Sequence, residues 1–281
     1  MPTHTITGGG AIATIDPVRG GKILSLRGPD GREWLAQATR PSRAPDRGDA
    51  VFTESDPAGW DECAPSIDAC EIGSRRVPDH GDLWTAEWTT VSATPDSLEL
   101  SVLGRSLGYR LVRRISATDA GLRLDYVASA TGAATPFLWA AHPQFVSPPG
   151  SALELSAAVT HVVDVIDPAA PVVPWSPELA TVDTLPDHGY RKVYVEPLTH
   201  TDRATLRHPD GATLTLSWQH CPYLGLWFDN RAYSSVPVVA IEPSLGFRDS
   251  LSWAVENGDA PALAPGQDLH WSLDVAIGPA T

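Results

Sequence analysis

The sequence predicts an all-β protein whose strands form a large antiparallel β-sandwich. Apolar and polar residues alternate with a period of two in many segments, which is typical of half-buried strands. The chain also carries 23 Gly and 26 Pro, as frequent turns between short strands require. Helical periodicity is almost absent, and no alternation of strands with helices indicates a parallel sheet. Residues 1–281 are predicted to form one domain.

The strands are predicted from apolar segments separated by turn signals. The clearest alternation begins at Leu98, Leu122 and Leu214. Further strands are expected over residues 11–15, 109–116, 137–142, 160–166, 191–195, 223–228, 236–241 and 269–277. The sequence Gly-Pro-Asp-Gly at 28–31 predicts a hairpin, because proline presets one turn dihedral and glycine tolerates a positive φ. Asp210-Gly211 signals a second turn.

Two segments rich in proline and charged residues interrupt the alternation of apolar and polar residues. Residues 39–76 and 168–189 are therefore predicted to be long loops. Long loops in a compact domain often carry function, because a rigid sheet positions residues that the loops then enclose. Since residues 39–76 lead into the most polar part of the chain, we expect them to border a site.

Composition excludes several classes of function. Acidic residues outnumber basic residues 34 to 20, and a net charge of −14 repels phosphate backbones and anionic lipid, so neither nucleic acid nor membrane is an expected partner. No secretory signal or long apolar segment is present, which predicts a cytoplasmic protein. The three cysteines, Cys63, Cys70 and Cys221, have no spacing typical of zinc sites or disulfide frameworks and are expected to be free thiols.

Tryptophan is unusually frequent, with 10 residues against 5 phenylalanines. Flat indole faces suit the apolar C–H faces of sugars, although most of these residues lie in strand-like segments and are expected in the core. Trp60 and Trp139 are the exceptions, because they stand beside polar clusters. Substrate contact is therefore predicted for both of them and for the neighbouring Asp61.

Two titratable residues end strongly apolar segments, His142 after residues 137–141 and Glu242 after residues 236–241. Carboxylates are rarely buried without a partner or a task. Two such groups at the ends of buried strands would suit general acid–base catalysis, whereas a hydrogen-bonded core histidine is the alternative for His142. His80 lies in a polar turn, where either a surface histidine or a ligand contact is expected.

A series of short segments, spread over the whole chain, resembles one known group of proteins. The segments are Gly20-Gly21-Lys22-Ile23, 30–35, Gly59-Trp60-Asp61-Glu62-Cys63, Asp79-His80-Gly81-Asp82-Leu83-Trp84, Ala141-His142-Pro143, Leu224-Gly225-Leu226-Trp227, Ile241-Glu242-Pro243, Asp249-Ser250-Leu251 and Ala264-Pro265-Gly266. Their order resembles that of aldose 1-epimerase-related proteins of the galactose mutarotase-like superfamily. Pro143-Gln144-Phe145 and the residues around His80 depart from the classical galactose mutarotases, which indicates a divergent branch.

The resemblance implies a β-supersandwich with a sugar-binding cleft on one sheet. It further implies that His142 and Glu242 interconvert the anomers of an aldose and that His80 contacts the sugar ring. Glu242 would take the proton of the anomeric hydroxyl while protonated His142 donates one to the ring oxygen; the opened sugar then rotates about C1–C2 and closes again. Such proton transfers need no metal or other cofactor, and none is predicted.

Three alternatives remain open at this stage. The chain could be a non-catalytic carbohydrate-binding or sensing protein, which needs the cleft but not the acid–base pair. It could also be a lyase, hydrolase or isomerase, and a hydrolase would require a second carboxylate such as Asp61 or Glu62 at a defined distance from Glu242. Arg75 and Arg76 could bind the phosphate of a sugar phosphate, whereas the negative net charge favours a neutral sugar.

Overall fold

The fold is built almost entirely of β-strands. The computed structural model describes residues 3–39, 50–55 and 57–280. Strands make up 48% of it and helices 4%, so the all-β prediction is confirmed. In chain order the strands are β1 (His4–Gly8), β2 (Ala11–Asp16), β3 (Lys22–Arg27), β4 (Trp60–Cys63), β5 (Cys70–Ile72), β6 (Arg75–Val77), β7 (Thr89–Thr94), β8 (Ser97–Leu103), β9 (Tyr109–Thr118), β10 (Gly121–Ala130), β11 (Thr135–Pro136), β12 (Ala140–Pro143), β13 (Phe145–Val146), β14 (Ala152–Leu155), β15 (His161–Asp164), β16 (Val172–Pro174), β17 (Tyr190–Val195), β18 (Arg203–Arg207), β19 (Thr213–Gln219), β20 (Tyr223–Asp229), β21 (Val238–Ser244), β22 (Ala262–Leu263) and β23 (Leu269–Gly278). Within these described residues, the helical elements are a 3-10 turn (Phe52–Glu54) and one α-helix, α1 (Leu251–Asn257).

Two antiparallel sheets form the body of the molecule. The larger sheet has the order β1-β2-β3-β4-β12-β21-β20-β17-β15-β16, with β13 also paired to β21. The smaller sheet has the order β14-β18-β19-β23-β10-β9-β8-β7. Two further pairs, β11-β22 and β5-β6, lie outside both sheets. Strands that are distant in the chain, such as β4, β12 and β21, are therefore neighbours in the larger sheet.

The core lies between the two sheets and follows from strand alternation. On β10, Leu122, Leu124 and Tyr126 are buried while the residues between them are less so. One continuous cluster of buried apolar residues includes side chains from both sheets. The two predicted turns are also present, since Gly31 N donates to Gly28 O at 3.0 Å and Gly211 N donates to His208 O at 3.0 Å.

Trp60 and Trp139 belong to this core, and the expectation that they stand apart from it was wrong. Both side chains are 0% exposed. Trp60 meets the Phe145 ring edge-on at 5.9 Å, and Trp139 packs at 4.7 Å from Tyr126 and 5.0 Å from Trp271. The physical reason is alternation, because a tryptophan next to a cleft-facing residue in a strand points to the opposite face of the sheet.

The prediction of a loop over residues 39–76 was only partly right. Residues 40–49 and 56 lie outside the described residues, and the rest of the segment contains β4, β5 and β6. β4 is a central strand whose four residues are all buried. Its sequence, Trp-Asp-Glu-Cys, is not typical of a buried strand, because it contains two carboxylates. Their burial is possible because Lys22 and Arg113, from other strands, form ion pairs with them. Residues 168–189 are irregular except for β16, as predicted.

The helix α1 was missed by the sequence analysis because seven residues are too few for a clear helical period. Its boundaries do carry local signals: Ser250 accepts a hydrogen bond from Trp253 N, and Gly258 ends the helix with φ 77°. The chain just before the helix is tied down, since Ile67 N and Asp68 N donate to Asp249 O at 2.9 and 2.8 Å. This anchoring places Asp249 beside the larger sheet. Within the described ranges, no helix is both long and apolar enough to cross a membrane.

Candidate functional site

A single row of residues crosses the larger sheet on the face turned away from the smaller sheet. Asp61 of β4 pairs with His142 of β12, and Glu242 of β21 pairs with Gly225 of β20. Ala140 pairs with Ser244, so the antiparallel register sets His142 opposite Glu242. Directly opposed residues of an antiparallel sheet point to the same face. The register thus brings together two candidate residues that lie 100 positions apart.

His142 and Glu242 face each other at the centre of this row. The distance from His142 Nε2 to Glu242 Oε1 is 3.8 Å, and the two residues are 6% and 0% exposed. Among the described residues, Glu242 Oε1 has no hydrogen-bond partner. The other imidazole nitrogen, Nδ1, lies 3.3 Å from Gln144 Nε2. An amide nitrogen at Nδ1 favours the tautomer whose proton is on Nε2, facing the carboxylate.

Lys192 is the main site residue that the sequence analysis missed. Its Nζ donates to Glu242 Oε2 and lies 3.2 Å from Asp249 Oδ1. Asp249 Oδ1 also accepts from Tyr194 OH at 2.7 Å. The lysine therefore joins two carboxylates, one from β21 and one from the segment before α1. The sequence did carry one indication that Lys192 faces the site: it alternates with Tyr190 and Tyr194, on the side of β17 opposite to Val193 and Val195.

Gly225 makes room for this cluster. A Cβ atom there would lie 3.2 Å from Glu242 Oε2 and 3.0 Å from Tyr194 Cζ, which is closer than most real contacts. The carboxylate and the tyrosine ring thus lie directly over the backbone of β20. A side chain at this position would push Glu242 away from Lys192.

Burial and neighbouring charges change the proton affinities of the cluster. Burial raises the pKa of Glu242 to about 7, against an opposing effect of Lys192. Burial lowers the pKa of His142 well below its usual value, and the positive charges of His80, Lys192 and Lys22 act in the same direction. Burial also disfavours charge on Lys192, but Asp249 and Glu242 outweigh it and raise the lysine pKa. The lysine consequently stays charged, whereas the other two groups titrate close to neutrality or below.

His80 forms one wall of the site together with Phe52. The two rings stack at 3.9 Å with an interplanar angle of 9°, and each meets the His142 ring edge-on at 5.3 Å. His80 Nδ1 lies 3.0 Å from Asp79 Oδ1, while Asp79 Oδ2 accepts from Phe52 N at 3.2 Å. Burial raises the pKa of the Asp79 carboxyl, but the interactions with His80 and Phe52 prevail and lower it. Asp79 thus holds both members of the wall.

These groups surround a cleft of about 270 Å³, near the lower end of the range for small-molecule sites. His80, His142, Gln144, Lys192 and Asp249 line its polar part. Glu242 lies beneath them and reaches His142 and Lys192. A cluster of three aromatic side chains, Tyr190, Trp227 and Tyr233, lines another part of the same cleft.

The remaining predicted site residues lie elsewhere. Trp60 and Trp139 belong to the core face and do not line the cleft. Asp61 shares the face of His142 but is 1% exposed, with Lys22 Nζ at 2.9 Å from its Oδ2. Arg75 and Arg76 are exposed on β6, and neither lines this cleft.

Glu62 also points away from the cleft, into the core. Its Oε1 accepts from Arg113 Nη1 at 2.8 Å and from Tyr126 OH at 2.9 Å, and its Oε2 accepts from Trp139 Nε1 at 2.8 Å. Arg113 Nη2 donates to Gly21 O, and the guanidinium lies 4.9 Å from the Trp88 ring centroid. This buried pair links β9 to β4, the strand next to β12. Glu62 is therefore a structural carboxylate in this geometry.

No metal-binding cluster accompanies the site within the part of the chain that the structure describes. No group of three or more His, Cys, Asp or Glu side chains there is arranged to hold a metal ion.

Comparison with known proteins gives a match in structure but not in sequence. No protein-family model and no curated protein matches the chain. A protein from Synechocystis sp. PCC 6803 superposes with a TM-score of 0.79 at 16% identity, covering 99% of this chain and 96% of that one. A galactose mutarotase-like protein from Lactobacillus casei ATCC 334 gives a TM-score of 0.76 at 19% identity, with 99% and 100% covered. A GalM/aldose epimerase homologue from C. elegans gives 0.68 at 14%, with 100% of both chains covered. The chain therefore has the galactose mutarotase-like fold, at identities of 14–19% to these three structures.

Proposed function

We propose that this protein is an aldose 1-epimerase, which interconverts the anomers of a free sugar by opening and closing its ring. The observation that carries the proposal is the pair formed by His142 Nε2 and Glu242 Oε1, 3.8 Å apart at the base of a small polar cleft. Ring opening requires one group that takes the proton of the anomeric hydroxyl and one that gives a proton to the ring oxygen. His142 lines the cleft and Glu242 lies directly beneath it, so both titratable groups are close to the volume in which these two neighbouring oxygens would lie.

To perform this reaction, the pair must carry one proton more than a neutral imidazole and a carboxylate together. In the form that opens the ring, the Glu242 carboxylate accepts the proton of the anomeric hydroxyl and the His142 imidazolium donates to the ring oxygen. A neutral imidazole with a protonated carboxyl has the same proton count, and the opposite pKa shifts of the two groups favour this form in the free protein. Closure on the other face of the aldehyde reverses both transfers, so the pair is regenerated.

Lys192 and Gln144 act as positioning residues in this mechanism. Lys192 binds Glu242 Oε2 and leaves Oε1 facing His142. Gln144 lies at His142 Nδ1, where its amide nitrogen suits the neutral ring and its carbonyl oxygen would suit the imidazolium after rotation of the amide. His80 and Phe52 close the side of the cleft and limit how the sugar ring can lie.

The charges around the cleft favour a neutral sugar over a sugar phosphate. Asp68 and Asp249 both line the cleft, and its lysine, Lys192, is already bound by two carboxylates. A phosphate would meet these carboxylates at short range, which costs free energy in a partly buried site. Glucose and galactose are therefore suitable first substrates.

The proposed function is tested by exchange NMR on a panel of free aldoses. The protein is expected to accelerate interconversion of the α and β anomer signals of at least one neutral aldose above the buffer rate. A protein that binds the sugar, shown by saturation transfer, without accelerating exchange would instead be a carbohydrate-binding or sensing protein.

The pH dependence of catalysis follows from the pKa of Glu242. Below about pH 7 this group holds the proton that the pair shares, and above that pH the proton is lost. We therefore expect kcat/KM to fall about tenfold per pH unit above the transition, after subtraction of the buffer rate. A constant kcat/KM between about pH 6 and 9 would contradict this assignment. Lys192→Gln should move the fall to higher pH, because Lys192 lowers the pKa of Glu242.

His80 is expected to contribute to sugar affinity more than to proton transfer. The variant His80→Asn should raise KM by about tenfold, the loss of roughly one hydrogen bond to a charged or polar group, and change kcat by less than about threefold. Initial-rate measurements on the preferred aldose separate the two constants. A large fall in kcat at unchanged KM would give His80 a part in the chemistry instead.

A further inference from the structure

Three aromatic side chains form a cluster in the cleft beyond the catalytic pair. The Tyr190 and Trp227 rings stack at 5.0 Å with an interplanar angle of 25°, and Tyr233 lies 5.4 Å from Tyr190 and 5.7 Å from Trp227. All three line the same cleft as His142 and Lys192. Tyr190 and Tyr233 are 41% and 44% exposed, unlike the fully buried Trp60 and Trp139. We call these three residues the aromatic shelf.

Strand register fixes where the shelf lies relative to the catalytic row. Trp227 pairs with Lys192, two residues along β20 from Gly225, which pairs with Glu242. Tyr190 is two residues further along β17. At a rise of about 3.3 Å per residue, Trp227 is roughly 7 Å and Tyr190 roughly 13 Å from the catalytic row. The shelf therefore begins where the polar part of the cleft ends and extends well beyond it.

A buried carboxylate holds the shelf in place. Asp229 is 1% exposed and accepts backbone hydrogen bonds from Ala232 at 2.6 Å, Tyr233 at 3.1 Å and Ser234 at 2.8 Å. These bonds fix the loop after β20 and set Tyr233 against Trp227. The exposed rings are thus presented in a defined geometry before any ligand arrives, which reduces the entropy that binding must overcome.

We propose that the aromatic shelf is a second sugar subsite, which holds the non-reducing unit of a reducing disaccharide while the reducing unit lies over His142 and Glu242. Aromatic faces bind the C–H faces of a sugar ring, and the phenol hydroxyls of Tyr190 and Tyr233 can bond to sugar hydroxyls. The cleft of about 270 Å³ runs from His142 to the shelf, and the exposed rings of Tyr190 and Tyr233 leave it open to solvent at that end, where a second ring can lie. This inference rests on the proposed function, because ring opening requires C1 of the bound reducing unit to be free.

The test compares disaccharides with monosaccharides in shelf variants. Anomer exchange is measured for glucose and galactose and for maltose, cellobiose and lactose, in wild type, Tyr190→Ser and Tyr233→Ser. The matched control is Tyr223→Ser, since Tyr223 is partly exposed and lies away from this cleft, beside Phe247. For at least one disaccharide, each shelf variant is expected to lower kcat/KM about tenfold, while the monosaccharide values and the control change less than about twofold.

A second measurement separates this inference from the proposed function. Methyl glycosides of the same disaccharides are blocked at C1, so their binding can be followed by saturation-transfer NMR without turnover. Saturation should reach the protons of both rings in wild type and only those of the ring bearing the methyl group in Tyr233→Ser. If anomers of monosaccharides exchange but the second ring receives no saturation and the disaccharide values do not fall selectively, the shelf merely packs on itself and the subsite is overturned. If binding follows the expected pattern but no sugar exchanges, the proposed function fails and the subsite stands.

Discussion

Glu242→Gln is expected to lower enzyme-catalysed anomer exchange by about 10²–10⁴-fold, the usual contribution of a positioned acid or base. Glutamine keeps the shape of the side chain and a hydrogen bond to Lys192, but it can neither accept nor donate the proton that the pair shares. Exchange NMR on the preferred aldose measures the loss. Glu256→Gln is the matched control, because Glu256 is exposed on α1 and away from the cleft.

His142→Asn should cause a loss of similar size, and the double variant shows whether the two residues act together. Because one missing partner already stops the coupled proton movement, Glu242→Gln/His142→Asn should be little slower than either single variant. Sugar binding and the thermal unfolding transition establish that each variant is folded. A folded Glu242→Gln protein with wild-type exchange would contradict the mechanism and favour the binding-protein alternative.

Arg113→Met is expected to lower the free energy of unfolding by about 3–5 kcal/mol, because it leaves the Glu62 carboxylate buried without its cation. Both side chains of the pair are 0% exposed. Urea unfolding at neutral pH measures the loss. Arg207→Met is the matched control: the Arg207–Glu154 pair lies at the surface, with side chains 47% and 49% exposed, so its loss should change the free energy of unfolding much less.

The pH dependence of this loss has a defined sign. Burial raises the pKa of Glu62 even with Arg113 present, so the folded protein holds its proton more tightly than the unfolded chain does. Such a group favours the folded state at low pH, and that contribution disappears as the pH rises through the folded pKa. Arg113→Met should therefore recover part of its stability on acidification. Adding Glu62→Gln should recover part of it at neutral pH. A loss as small as that of Arg207→Met would show that the buried pair contributes little.

The fold could be predicted from the sequence because alternation is a local property. Each strand carries its own pattern, and the all-β architecture follows from many such patterns. β4 was missed because Asp61 and Glu62 obscure the pattern, and their burial depends on Lys22 and Arg113 from other strands. The tertiary fold determines which residues neutralise a buried charge, so the local sequence pattern does not predict these partners.

The site was predictable to the extent that its residues are unusual in their own strands. His142 and Glu242 could be identified because each ends an apolar segment, but their distance depends on the register of β12 against β21. Lys192 was missed because a lysine in a short strand ordinarily points to solvent. Its burial is stabilised by two carboxylates from distant parts of the chain, Glu242 of β21 and Asp249 of the segment before α1. Trp60 and Trp139 misled for the opposite reason, since an indole ring suits sugar binding while their positions in the chain turn both side chains into the core.

The row across the larger sheet also has a consequence for how the protein is made. Asp61, His142 and Glu242 of this row, and Lys192 beside it, come from β4, β12, β21 and β17, which are dispersed through the chain and come together only in the assembled sheet. Contacts of such long sequence separation form slowly, because the intervening chain must be ordered first. During synthesis the last of these residues leaves the ribosome when most of the polypeptide is already exposed. The proposed aldose 1-epimerase activity is therefore expected only from a completely folded sheet, and an N-terminal fragment that ends before β21 is expected to lack it.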